Sequence, residues 1–427
     1  MRFFPLLIVF FGLPSYSNEV VMDGRFDDWK TSEIQIVDPQ GDASGKFDVL
    51  NMKVKTNQKY VYLRLELKNK LNLQNGNAED GDFIIYFSNP KGTIKVDLRN
   101  RLAEFTGNKG EPRRLSWKEL GFTSLPTYAS KTHELRIDPS PLGFGLASPI
   151  NVKVDGSDKV DQFEIRCSGK GLSKKPISLV KEKGALRIAN LNTLRQGIAD
   201  PKRRESIKRL LELSQADVFA FQEEWKEDLF RENVGKVFSF GDSNKSVNVH
   251  WNNGCAIATQ YKLTPVDIGL ERGAAGYIEL ADGKGLMVVS VHFKCCGYAG
   301  SSEDQKRIDT VKQLVRRIGD FNKAIPGGLP VVVIGDYNLV GSRDPLTHLE
   351  KKGFQELVCL KDDLTATTWR GLAETESFWP GRLDIVVSKG LTPLRGQVFD
   401  SSLQPNVDTS LSLASDHFMV MGDFRVE

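Results

Sequence analysis

In the second half of this chain, polar residues interrupt apolar runs at a few places, and the side chains found there are of related kinds. Asn192 ends the run Leu186-Arg187-Ile188-Ala189-Asn190-Leu191, Glu223 follows Val218-Phe219-Ala220-Phe221-Gln222, and His292 follows Val288-Val289-Ser290-Val291. Asp336 and Asn338 follow Val331-Val332-Val333-Ile334-Gly335, Asp384 sits inside Arg382-Leu383-Asp384-Ile385-Val386-Val387, and Asp416-His417 precede Phe418-Met419-Val420-Met421. Taken singly, a strand-terminal Asn or Asp serves a turn, and a lone His is more often a hydrogen-bonded core residue than a catalyst. Together, acids, amides and imidazoles at so many strand ends point to one shared cleft, since each is costly to bury alone.

The elements that must position them alternate strand and helix. Leu186 to Asn192 reads as a strand, Arg203 to Ser214 as a helix with Ile207, Leu210 and Leu211 on one face, and Val218 to Gln222 as a strand. Leu286 to His292 is a nearly unbroken apolar strand. A long helix follows, in which Ser302 and Gln305 fit a capping box and Ile308, Val311, Val315 and Ile318 form the apolar stripe. Pro330 to Gly335 and Leu383 to Val387 supply two more buried strands, giving a mixed α/β layout of two packed sheets flanked by helices. The charged run Lys202-Arg203-Arg204 with Lys208 and Arg209 reads as a solvated helix face rather than a phosphate-steering patch.

Taken in order, the segments Ile188-Ala189-Asn190-Leu191-Asn192, Gln222-Glu223, Ser290-Val291-His292, Gly335-Asp336-Tyr337-Asn338, Arg382-Leu383-Asp384 and Ser415-Asp416-His417 resemble the endonuclease/exonuclease/phosphatase superfamily, the deoxyribonuclease I-like fold. The resemblance spans roughly Leu186 to Glu427 and implies a four-layered α/β sandwich. It also implies Mg²⁺-dependent phosphoester hydrolysis, with Mn²⁺ or Ca²⁺ as alternative ions. In that scheme Glu223 is the principal metal ligand, with Asn192 near it and Asp416 sharing a second ion. Asp336 and Asn338 position the attacking water and hold the phosphate. His417, oriented by Asp384, serves as general acid or base, and His292 contacts the phosphate as a second imidazole.

Two histidines and the stretch His292-Phe293-Lys294 favour a nuclease acting on DNA or RNA, although Cys295-Cys296 departs from the Ser-Lys that usually follows in secreted nucleases of this superfamily. Phe378-Trp379-Pro380-Gly381-Arg382-Leu383-Asp384 lacks the Pro-Ala-Trp-Cys-Asp-Arg pattern of inositol-polyphosphate phosphatases, and no aromatic insertion of the sphingomyelinase kind is evident. A phospholipid or small-molecule phosphoesterase is the alternative, and a catalytically inactive surface-binding protein is the alternative of another class. Arg382 is expected to meet a neighbouring loop rather than a phosphate.

At 427 residues the chain is longer than one core supports, and its net charge of +3 provides no global basic field. Arg2, the apolar stretch Phe3 to Leu13 and Ser15-Tyr16-Ser17 read as a signal peptide over residues 1–17, implying a secreted or periplasmic protein with no transmembrane segment. Five cysteines remain, Cys167, Cys255, Cys295, Cys296 and Cys359, and one of the Cys295-Cys296 pair is expected to bridge to Cys255 or Cys359. Residues 18–168 show short alternating segments, among them Tyr60 to Leu67, Asp82 to Phe87, Ile94 to Leu98 and Ile150 to Val154, which predict an antiparallel β-sandwich. Its opening, Val21-Met22-Asp23-Gly24-Arg25-Phe26-Asp27-Asp28-Trp29, resembles carbohydrate-binding domains of the family 9-like type, which implies a carbohydrate or cell-surface polymer as partner. Trp29 is then a core anchor or a sugar platform, and the three aspartates cap a turn or hold calcium. A polar linker over 169–183 separates the sandwich from the domain at 184–427.

Overall fold

The computed structural model describes residues 20–30, 34–74, 80–143, 149–167, 179–238, 246–280, 283–325, 327–371 and 376–426. The expected signal peptide and most of the expected linker lie outside the described residues. The chain divides into two compact units, Met1–Lys174 with Ala373–Gly381, and Lys175–Leu372 with Arg382–Glu427. No helix among the described residues is long and apolar enough to cross a membrane.

The first unit is an antiparallel β-sandwich. Its strands are β1 (Ile34–Val37), β2 (Val49–Thr56), β3 (Val61–Leu71), β4 (Phe83–Asn89), β5 (Gly92–Asp97), β6 (Leu102–Gly107), β7 (Arg113–Leu115), β8 (Thr123–Leu125), β9 (Ser130–Ile137), β10 (Pro149–Gly156) and β11 (Val160–Arg166). One sheet runs β1-β2-β3-β9-β8 and the other β11-β10-β4-β5-β6-β7. Period-two burial places Leu63, Leu65 and Leu67 of one sheet and Ile85, Phe87, Ile94, Val152 and Val154 of the other in a shared core. Trp379, from the segment that the long loop before Asp384 contributes to this unit, lies in the same core against Trp117 and Phe122. Trp29 is 1% exposed and donates from Nε1 to Glu134, so it is a core anchor and not a sugar platform. Asp28 accepts from Val21 N and Asp23 from Arg25 N, so both serve the turn.

The second unit is a four-layered α/β sandwich. It contains β12 (Leu186–Asn192), α1 (Pro201–Ser214), β13 (Val218–Glu224), α2 (Glu227–Val237), β14 (Asn248–Asn252), β15 (Gly254–Thr259), β16 (Lys262–Val266), β17 (Gly273–Glu279) and β18 (Gly285–His292). There follow α3 (Ser302–Lys323), β19 (Val331–Asp336), α4 (Asp344–Glu350), β20 (Gln355–Leu357), β21 (Asp384–Lys389), β22 (Thr392–Phe399) and β23 (Met419–Arg425). The sheets run β14-β15-β13-β12-β23-β22 and β16-β17-β18-β19-β21-β20. The two parallel pairings, β12 with β13 and β18 with β19, are bridged by α1 and α3, the crossovers that parallel neighbours require. Ile188, Val218 and Ile257 meet Val288, Val332 and Val386 in the core between the sheets. Leu191, Phe219 and Phe221 face outward onto Ile207, Leu210 and Leu211 of α1 and Phe230 of α2. Strands apolar on both faces are what a sheet covered on both sides demands.

Three sequence expectations change here. Ser301, not Ser302, caps α3, accepting from Asp304 N, and the buried stripe is Asp304, Arg307, Val311, Leu314 and Ile318 rather than one through Ile308. Arg307 displaces Ile308 because its guanidinium holds the carbonyls of Lys294 and Cys296. The expected bridge is not formed: Cys255 and Cys359 are buried in the inter-sheet core, whereas Cys295 and Cys296 lie on the loop after β18 with their sulfurs 2.9 Å apart. The basic run on α1 is also not wholly solvated. Arg203 donates to the carbonyls of Thr193 and Ala414, and Arg204 to those of Ile198 and Ala199.

Candidate active site

The candidate residues gather at one end of the second unit because the two parallel pairs finish there. Asn192 closes β12, Glu223 lies at the end of β13, His292 closes β18 and Asp336 closes β19. Across the second sheet, His292 pairs in register with Asp336, and Asp336 with Asp384 at the start of antiparallel β21. Asp416-His417 lead into β23, which runs antiparallel to β12. Ligand sites in open α/β sheets form in just this place, beyond the carboxyl ends of the strands.

The approach of β18 to β19 depends on Gly335. Its φ is +153°, and a Cβ there would stand 2.0 Å from the carbonyl oxygen of Val291. Only glycine lets the strands close here and set His292 beside Asp336.

Glu223 is aimed by backbone that ordinary strand geometry does not provide. The register of β13 with β15 shifts between Phe221 and Glu224, and Glu223 adopts φ +64°. Such a bulge re-aims a side chain, and left-handed non-glycine residues cluster at functional sites. The loop after β12 answers it: Leu194, Arg195 and Gln196 are all left-handed (φ +52°, +48° and +64°). Their N–H groups donate in turn to Asn192 Oδ1, Glu223 Oε2 and the Glu223 carbonyl.

Asn192 is fully buried, and its Nδ2 donates to both Glu223 Oε1 (3.2 Å) and Asp336 Oδ2 (3.1 Å). Asp336 Oδ2 also lies 3.6 Å from His292 Nε2 and 3.8 Å from His417 Nε2, so two imidazoles face one carboxylate. Asp336 Oδ1 accepts from Asn338 N, with Asn338 itself at φ +45° and its Nδ2 on the Phe293 carbonyl. His417 Nδ1 lies 2.7 Å from Asp384 Oδ2, and Asn190 Nδ2 donates to the other oxygen of that carboxylate. Asp416 accepts from Trp369 Nε1 and is only partly buried.

These surroundings separate the two imidazoles. Burial lowers His292 to about 3, helped by the nearby charges of Arg272 and His417, so its ring is neutral. Burial would lower His417 as well, but Asp384, with Asp336 and Asp416 behind it, raises it to about 10. Burial raises the Asp336 carboxyl, against the pull of His417.

The structure thus brings Asn192, Glu223, His292, Asp336, Asp384 and His417 into one connected group, with Asn338 bonded to Asp336 and Asp416 adjacent in sequence to His417. Arg382 pairs with Glu356, which lies on strand β20 and not on the neighbouring loop expected of it. Several supporting groups were not singled out from sequence. Asn190, Gln222 and Ser290 form a buried chain, Gln222 Nε2 donating to Asn190 Oδ1 and Ser290 Oγ. Their signal was polarity recurring inside fully apolar strands. Thr368 Oγ1 accepts from the N–H groups of Leu383 and Asp384, and Ser415 Oγ donates to the Asn192 carbonyl. Trp225 stands 5.5 Å from the His292 ring with Arg272 over its face at 4.9 Å, and no local sequence pattern announces that pair.

A model of the endonuclease/exonuclease/phosphatase family matches residues 189–417, from inside β12 to His417. The chain belongs to this family. The match begins on the strand that ends in Asn192 and closes on the imidazole held by Asp384. Solved structures similar to the chain include beta toxin from Staphylococcus aureus, at 17% identity and TM-score 0.41, covering 56% of this chain and 99% of that one. D. rerio TDP2 complexed with single strand DNA product is 15% identical, with TM-score 0.40 and coverage of 57% and 99%. The 3'-5' exonuclease NExo from Neisseria meningitidis is 15% identical, with TM-score 0.42 and coverage of 56% and 99%. No curated protein matches the sequence.

Proposed function

We propose that the second unit is a divalent-metal-dependent phosphodiesterase acting on nucleic acid, DNA or RNA. The observation that carries this is the convergence of His292 and His417 on Asp336, with Asn192 linking that carboxylate to Glu223.

The donor set fits a hard cation. Among the described residues neither Glu223 nor Asp416 has a lysine or arginine ion-pair partner, and each Glu223 oxygen accepts a single hydrogen bond. Carboxylates left this way suit Mg²⁺, which binds through one or two of them and keeps several waters. Glu223 would hold the ion, with Asp416 as a further acidic ligand, and the ion would neutralise nonbridging phosphate oxygens. Asn192, whose amide oxygen is taken by Leu194 N–H, orients the Glu223 and Asp336 carboxylates through its nitrogen.

The chain's own groups then divide the proton work. Asp336, raised by burial and flanked by two imidazoles, accepts the proton of the attacking water. His417, cationic at neutral pH, stabilises charge gathering on the phosphate and protonates the leaving oxygen. Neutral His292 and Asn338 hold the phosphoryl group from the other side. Trp225 and Arg272 add a ring and a cation next to His292, a combination that suits stacking of a base beside its phosphate.

The test is the full chain with Mg²⁺ on plasmid DNA, RNA, sphingomyelin and a chromogenic phosphodiester, beside His417→Ala and Glu223→Ala. Cleavage of nucleic acid that chelator abolishes and both variants reduce at least about 10²-fold is expected. Identical behaviour of all three proteins on every substrate would sink the catalytic proposal, and cleavage of sphingomyelin alone would sink the choice of nucleic acid.

A further inference from the structure

The sandwich unit carries an acidic cluster that the proposed hydrolysis does not use. Asp38 follows β1, Asp42 lies in the turn after it, and Asp158 sits in the turn joining β10 to β11. One carboxylate oxygen from each lies within 4.8 Å of the other two. Asp48, the residue before β2, stands behind them and is 2% exposed.

Turn geometry accounts for part of this arrangement. Gly41, at φ +89°, donates its N–H to Asp48 Oδ2, and Asp158 accepts from the N–H groups of Val49 and Lys159. It does not account for the rest. Asp38 is 9% exposed, and its Oδ2 is fully buried without a hydrogen-bond donor. Asp48 Oδ1 is in the same condition. Lys68 lies 3.1 Å from Asp48 Oδ2, and Lys46 lies 3.3 Å from Asp80. Asp38, Asp42 and Asp158 have no ion-pair partner among the described residues. A buried carboxylate oxygen lacking both a donor and a countercharge is costly, and Asp38 Oδ2, which is in that condition beside the carboxylates of Asp42 and Asp158, calls for a cation.

We propose that Asp38, Asp42 and Asp158 bind one calcium ion, with Asp48 supplying additional negative charge behind them. Oxygen donors from separate turns, one of them on the exposed Asp42, suit Ca²⁺, which accepts many oxygen ligands in flexible geometry, better than Mg²⁺, which demands a near-ideal octahedron. The bound ion ties the turn after β1 to the β10–β11 turn, and so joins one sheet of the sandwich to the other.

Calorimetric titration of the full chain with CaCl₂ and with MgCl₂ tests this, using wild type, Asp42→Asn, Asp38→Asn and Glu223→Gln. Asp42 is exposed, so its variant keeps the fold even where Asp38→Asn does not. One calcium equivalent is expected, present in Glu223→Gln and weakened at least about tenfold in Asp42→Asn, with phosphodiesterase activity of Asp42→Asn unchanged. Calcium should raise the melting temperature of wild type and not that of Asp42→Asn. The proposal is overturned if Asp42→Asn takes up calcium like wild type, if all calcium binding disappears in Glu223→Gln, or if Mg²⁺ binds the Asp42-dependent site as tightly as Ca²⁺.

Discussion

His417 Nδ1 and Asp384 Oδ2 are 2.7 Å apart, and the second oxygen of that carboxylate takes Asn190 Nδ2 at 2.9 Å, so the imidazole is fixed by a carboxylate that is itself fixed. Asp384→Asn removes the charge that offsets burial of His417. The imidazole then titrates well below about 10, and the alkaline limit of activity falls with it. A loss of about 10²-fold or more in kcat at neutral pH is expected, with KM little changed. NMR titration of the His417 ring checks the cause, and an unshifted ring would refute it.

Gly335→Ala should damage the site without touching a catalytic side chain. The added Cβ meets backbone of Val291, which no rotamer change relieves, and φ +153° is itself unfavourable for alanine. A cost of about 3 kcal/mol is expected in urea unfolding, together with weakened activity as the His292–Asp336 register opens. An alanine variant with wild-type stability and rate would show that the strands do not need this close approach.

Arg187 and Asp423 form an ion pair at 2.5 Å between β12 and β23, with side chains 1% and 2% exposed. Arg187 also donates to the carbonyls of Leu179 and Ser214. Arg187→Met leaves Asp423 buried with Arg395 as its one remaining charged partner among the described residues. Destabilisation of about 3 kcal/mol is expected from the midpoint of urea unfolding. A shift of under about 1 kcal/mol would mean that Arg395 suffices.

His133 gives the first unit an acid sensitivity. The ring is fully buried, burial lowers it to about 4, and Nε2 lies 3.0 Å from the Leu71 carbonyl and 3.1 Å from that of Ser130. The unfolded chain binds the proton near pH 6.5 and the folded chain only near 4, so the contribution is whole above 6.5 and lost as pH falls toward 4. That difference corresponds to about 3 kcal/mol. In His133→Gln the slope of stability against pH between 6.5 and 4 should flatten, as read from urea midpoints across that interval.

Much of the second unit could be read from sequence because its strands are buried on both faces. A Glu, His or Asp at the end of such a run stands out, and six segments in family order fix their chain sequence. What did not show is geometry created by the fold. Nothing in Gln222-Glu223-Glu224 reveals a bulge that turns Glu223 into the site and buries Glu224 against Thr193. Trp225 and Arg272 lie far apart in the chain and outside any apolar run. The burial of Arg307 is equally absent from the helical pattern, because carbonyls supplied by the loop after β18 draw its guanidinium inward. Nor does the segment before Asp384 reveal that the ring of Trp379 belongs to the core of the sandwich unit.

Asparagine and aspartate codons differ by a single base, and the two side chains have almost the same shape. At Asn192 that smallest of genetic steps would exchange an amide shared by Glu223 and Asp336 for a third negative charge wedged between them, in a place with no exposed surface. Shape therefore does not guard this position; polarity does. A functional active site and a self-repelling one stand one base change apart at this residue.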